Sequence, residues 1–177
     1  SNLKRTMAAI DATLLDTIAA CGDVNRNVMA ATNPAQTGAH KAAYQLAKDI
    51  SDSLLPKTSA WREIWLDGER VVGGEDAAEI EPIYGRTYLP RKFKTVVAVP
   101  PSNEVDIFAH DFGFIAILDE AGRVTGWNVT VGGGMGMTHG ETDTFPRTAD
   151  VMCFVAPEDA LKAAEAVMTV QRDWGNR

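Results

Sequence analysis

The chain has 177 residues, 45% of them hydrophobic and 23% charged, which suits one soluble globular domain with a substantial core. Its formal charge of −7 argues against general nucleic-acid binding, which draws on clustered Lys and Arg. No apolar run nears the roughly 20 residues that cross a bilayer and no signal-peptide pattern opens the chain, so a cytoplasmic protein with no membrane partner is expected.

Ser1-Asn2, without an initiating Met, reads as a scar of tag removal, leaving residues 3–177 as a single domain. Leu3, Met7, Ile10, Leu14 and Ile18 recur at three- and four-residue intervals and predict a helix that ends at Cys21-Gly22. Asp23 to Pro34, with three Asn, is expected to form a short helical turn and then a loop. A second helix is predicted from Thr37 to Leu54, with Ala39, Ala42, Ala43, Leu46, Ala47 and Ile50 as its apolar stripe and Pro56 beyond its end.

The period then changes. Trp61–Leu66 and Glu69–Val72 flank Asp67-Gly68, a pair that supplies the positive φ angles of a tight hairpin turn. Further strands are predicted over Phe93–Val99, Phe112–Leu118, Val124–Val131 and Val151–Val155. A last helix should start near Pro157 and carry Leu161, Ala164, Val167 and Met168 inward. Helices, then a run of strands, then a helix imply an α+β fold, with packed helices on a mixed or antiparallel sheet.

Several motifs invite a chemical reading. The run Val131 to Gly140, rich in glycine, lacks the spacing of a dinucleotide fingerprint and no amphipathic helix follows it. Its backbone either approaches a ligand's carboxylates or makes a bulged turn between strands. His139 and Glu141 echo the H-x-E of zinc deaminases, but the paired cysteines that complete such a site are absent, so no metal site is expected. Cys21 and Cys153 are too few and too far apart for a disulfide framework and are expected to be buried thiols.

The acidic chain contains one basic stretch. Between Glu81 and Glu104 there is no acid, while Arg86, Arg91, Lys92 and Lys94 supply four positive charges. On an extended strand Lys92 and Lys94 point the same way, with Phe93 and Thr95 opposite. Two like charges held close together either receive an anion between them or sit at a solvated strand end. Arg26, in Asn25-Arg26-Asn27, carries the same ambiguity.

Taken together, five stretches resemble the sulfite and nitrite reductase haemoproteins, which carry sirohaem coupled to a 4Fe–4S cluster. They are Gly22–Met29, Tyr84–Thr95, Val99–Asn103 with Asp106, Asn128–Gly136 and Thr169–Arg177. They stand in the family's order, and Leu-Pro-Arg-Lys-Phe-Lys and Gln-Arg-Asp-Trp-Gly-Asn-Arg look closer to the sulfite branch. The resemblance implies a nitrite/sulfite reductase domain-like fold that forms a sirohaem-binding domain. It also implies a role in assimilatory reduction of sulfite to sulfide, for cysteine biosynthesis. A nitrite reductase of the same fold, or a non-catalytic half-domain that binds a tetrapyrrole or another anion, are the alternatives.

In that reading Arg26, Lys92 and Lys94 look like the cations around sulfite, and Asn25 and Arg91 like contacts of the macrocycle. Gly132, Gly133 and Gly134 would lie against the cofactor. The resemblance implies sirohaem and a 4Fe–4S cluster in a longer parent. Such a cluster needs four thiolates, and the chain has two cysteines, so this piece is expected to bind neither cofactor by itself and to be inactive alone. Its partners would be the remainder of the haemoprotein and an electron donor, a flavoprotein or a ferredoxin.

Overall fold

The computed structural model describes residues 2–13, 23–57, 64–67, 69–72 and 80–176. The helices are α1 (Leu3–Asp11), α2 (Gly38–Leu54) and α3 (Ala160–Trp174). The strands are β1 (Asn25–Ala30), β2 (Ile64–Leu66), β3 (Glu69–Val72), β4 (Phe93–Ala98), β5 (Phe112–Leu118), β6 (Val124–Val131) and β7 (Asp150–Val155). β2 and β3 make a separate antiparallel hairpin, turned by Asp67 at φ 50° as the Asp-Gly signal predicts. The other five form one sheet in the order β1-β4-β5-β6-β7. β4 pairs in parallel with β1 and β5, while β5, β6 and β7 are antiparallel, so the expected α+β fold has a mixed sheet. No described helix is long and apolar enough to cross a membrane.

Two expectations about helices need amendment. α1 ends at Asp11 and gives way to a turn at Ala12 and Thr13, and residues 14–22 of its predicted span lie outside the described residues. In α3, Leu161 is 40% exposed rather than inward, and Ala160, Ala164 and Met168 form the buried stripe, with Val167 half-buried. Ala160 comes first because a 3-10 turn at Pro157–Asp159 precedes the helix and rotates its face. α2 matches its prediction closely: Thr37 caps it by accepting a hydrogen bond from the His40 N–H at 3.2 Å.

A larger correction concerns Asp23 to Pro34, where a helical turn is predicted and β1 is found. Val28 lies opposite Thr95 and Ala30 opposite Val97, with a bulge at Arg26 between Asn25 and Asn27. The strand forms because β4, reached through α2 and the hairpin, offers it a parallel partner, and such pairing outweighs the weak strand propensity of Asn.

Alternation along β4 sends Phe93 and Val97 into the main core, with α2, α3 and the aromatic row Phe112, Phe114 and Trp127. Val96 and Ala98 enter a second, smaller core with Val105 and Ile107 on the other face. The sheet is therefore covered on both sides at β4. Gly113 permits this: a Cβ there would stand 2.7 Å from the Thr130 hydroxyl and would collide with Ile107. The opposite edge differs, since β7 is exposed at Val151, Met152 and Phe154. Cys153, expected to be buried, is exposed there as well, because β7 has a neighbour on one side only among the described residues.

A short polar chain crosses the main core. The Tyr84 hydroxyl, fully buried, donates to the Leu54 carbonyl at 2.5 Å and accepts from the Asn25 N–H at 3.1 Å. The Asn25 side-chain oxygen in turn accepts from the Thr95 hydroxyl at 2.8 Å. Burial pushes the Tyr84 phenol up to about 12, the Asn25 N–H opposing the shift and nearby Glu81 adding to it.

Two measurements check this chain. Tyr84→Phe leaves the Leu54 carbonyl and the Asn25 N–H without a partner in the core and should cost about 2–4 kcal/mol in chemical denaturation. A phenol that ionises less readily when folded contributes stability that is full below pH 10 and is lost as pH rises toward 12. Wild-type stability should therefore fall across that window, and the Tyr84→Phe variant should lose that component of the fall.

Candidate anion-binding site

The cationic stretch lies where β4 enters the sheet. Phe93 and Thr95 are buried, which anchors the strand, while Lys92 and Lys94 are half-buried and Arg91 is exposed. All three cations line one cleft of about 230 Å³. Its other wall is the segment Ala109 to Asp111 together with the glycine turn from Gly133 to Met137. Lys92 and Lys94 thus face one cleft, as their alternation implies. Among the described residues, neither ammonium group has a hydrogen-bond or ion-pair partner.

The glycine turn is held by backbone. Gly132 N–H donates to the Asp111 carbonyl at 2.9 Å and Gly133 N–H to the His110 carbonyl at 3.1 Å. Gly134 and Arg147 exchange both main-chain hydrogen bonds, at 2.8 and 3.0 Å. Gly132 has φ +83°, which favours glycine, and Gly133 has no room for a side chain, since a Cβ would lie 2.5 Å from the His110 carbonyl oxygen. Nothing stands within 4 Å of a Cβ built at Gly134 or Gly136, which border the open cleft.

Asp111 joins the two walls. Its side-chain oxygen accepts the Lys94 N–H at 3.0 Å, and its carbonyl holds Gly132. Burial raises its carboxyl above the usual range; the Lys94 N–H and the nearby His110 and Arg91 charges oppose that rise. Asp111 and His110 were not among the candidates from sequence. An acid immediately before the apolar run Phe112–Leu118 is the signal available there.

The structure brings Arg91, Lys92, Lys94, Gly133 and Gly134 together at this cleft. Gly132 instead lines a neighbouring cleft of about 580 Å³, with Phe93, Val131 and Met152, which shares Asp111 and Gly133. Arg26 is half-buried at the β1 bulge beside Phe93 and Lys94 and does not line the smaller cleft. Asn25 is 5% exposed, and its side-chain oxygen is taken by Thr95. Among the described residues no group of His, Cys, Asp and Glu could hold a metal ion.

The described residues thus form a mixed-sheet domain in which two unpaired ammonium groups, Lys92 and Lys94, face a glycine turn across one cleft. Residues 46–177 match the family described as nitrite and sulphite reductase 4Fe-4S domain, and the chain belongs to that family. It is 92% identical over 177 residues to the sulfite reductase (NADPH) hemoprotein beta-component of Methylobacterium radiotolerans, covering all of this chain and 29% of that protein. The protein of the same name from Shewanella sp. is 58% identical over 176 residues, covering 99% of this chain and 31% of that one. The chain thus spans less than a third of the length of these curated relatives. In fold it resembles the Mycobacterium tuberculosis NirA protein, with a TM-score of 0.63 and 21% identity over 98% of this chain and 26% of that one.

The two glycines give a direct test of the turn. Gly133→Ala should destabilise the protein by about 1–3 kcal/mol through the collision with backbone, measured by denaturation. Gly134→Ala, which meets open space, should stay within about 0.5 kcal/mol of wild type.

Proposed function

We propose that this chain supplies the substrate-facing part of a sulfite reductase haemoprotein, within which residues 3–177 act as one sirohaem-binding domain. The observation that carries this reading is the pair of free ammonium groups, Lys92 and Lys94, at one cleft of about 230 Å³, roomy enough for a small oxyanion. The names of the relatives support sulfite as that anion.

A carboxylate-edged cofactor fits the surroundings of the cleft. Arg91 is an exposed cation that lines it, and Gly134 and Gly136 leave its glycine wall open to close approach at those two positions. Sirohaem, when bound, supplies the iron at which electrons reach the substrate. A 4Fe–4S cluster does not fit this chain, which has two cysteines where four thiolates are needed, one of them exposed on β7. Its ligands would come from the remainder of the longer protein.

Reducing sulfite to sulfide takes six electrons and releases each oxygen as water. Lys92 and Lys94 would hold the dianion through charge-assisted hydrogen bonds and draw electron density toward its oxygens. They would also pass protons to those oxygens as they leave. Arg26, one strand over, would add a third cation, and Asn25 would act from below by fixing β1 against Thr95. The words "beta-component" and "NADPH" in the relatives' names support a second component as partner and NADPH as the source of electrons; a flavoprotein or a ferredoxin that carries them to this chain in the cytoplasm belongs to the proposal.

The test uses the full-length protein carrying this sequence, produced in cells that make sirohaem. Lys92→Met or Lys94→Met should lower sulfite turnover at least about tenfold while sirohaem absorbance changes little. Equal loss of turnover and absorbance would contradict the reading and assign these lysines to holding the fold or the cofactor.

A further inference from the structure

We propose that Asp111 is the positioning residue of this cleft, holding Lys92 and Lys94 in register with the glycine turn so that both ammonium groups stay available to an oxyanion. The proposal rests on the cleft being the anion site and adds a residue that charge alone would assign the opposite role. A carboxylate beside three cations is ordinarily their countercharge, and an incoming anion would have to displace it. The Asp111 side chain instead accepts the main-chain N–H of Lys94, at 3.0 Å. Among the described residues it makes no ion pair with Arg91, Lys92 or Lys94.

That hydrogen bond has a structural reason. β4 and β5 pair from Thr95 opposite Phe112 onward, so Lys94 stands just before the ladder begins. Its N–H would otherwise be an open main-chain donor in a partly buried place, and the residue preceding β5 reaches across to fill the gap. The same residue's carbonyl takes the Gly132 N–H, and its neighbour His110 takes that of Gly133. One residue therefore sets the separation of the two walls of the cleft. A carboxylate committed to main chain leaves the ammonium groups free, whereas one that swung onto Lys94 would occupy the place of the substrate.

The experiment compares Asp111→Ala with Asp111→Asn in the full-length, sirohaem-containing protein. Sulfite affinity is read from the haem absorption band, and hydrogen exchange from the Lys94, Gly132 and Gly133 amides. Asn keeps an acceptor for the Lys94 N–H and Ala does not. Asp111→Ala should weaken sulfite binding about tenfold and release the Lys94 amide, whose acceptor is the side chain, while Asp111→Asn stays within about twofold of wild type. Unchanged affinity in Asp111→Ala, with wild type binding far more tightly than Lys92→Met, would overturn the positioning role alone. Wild-type affinity no better than that of Lys92→Met would remove the anion site and this role with it. Equal weakening in both variants would make the charge the operative feature, and loss of the whole fold in Asp111→Ala would make the role structural; either overturns the proposal.

Discussion

The Tyr84 hydroxyl donates to Leu54 and accepts from Asn25, tying the end of α2 to the start of β1 in a place closed to water. Asn25 passes the constraint on to Thr95 in β4. Three elements distant in sequence thereby meet at one point, directly beneath the residues that present Lys92 and Lys94. Buried polar groups of this kind contribute only when every member is paired, and a partial chain would cost more than an apolar core. The arrangement therefore favours one register of β1 on β4, and the bulge at Arg26 follows from that register.

Above this point the cleft divides its charges by role. The Lys92 and Lys94 ammonium groups have no protein partner among the described residues, whereas the half-buried Asp111 is spent on main chain. Glycine serves two ends within a single turn. Gly133 lets the turn lie against the backbone of Phe108 and His110, and Gly134 and Gly136 leave open space in the cleft wall where a Cβ would stand. The expectation that the whole run approaches a ligand thus separates into a packing requirement at Gly133 and open backbone beyond it.

Much of the fold is legible in the sequence wherever one element carries its own signal. The alternation in Phe112–Leu118 and Val124–Val131, the small-residue stripe of α2 and the Asp-Gly turn each specify structure locally. What cannot be read is set by partners distant along the chain. β1 looks like a turn because its three-Asn segment becomes a strand only against β4, and Asn25 is buried only because Tyr84 and Thr95 complete its hydrogen bonds. The exposure of Cys153 and Leu161 follows from the edge position of β7 and the rotation imposed by Pro157–Asp159. At the site, the pairing of Lys92 with Lys94 follows from strand period, whereas Asp111 emerges only when β4 and β5 are laid side by side.

The cleft between Lys92, Lys94 and the glycine turn is the proposed seat of the oxyanion. A crystal structure of the full-length, sirohaem-containing protein with sulfite tests it most directly. Sulfite oxygens are expected within hydrogen-bonding distance, about 2.7–3.2 Å, of the Nζ atoms of both Lys92 and Lys94, with Asp111 still on the Lys94 N–H. Sulfite bound elsewhere, with both lysines turned to solvent, would contradict it.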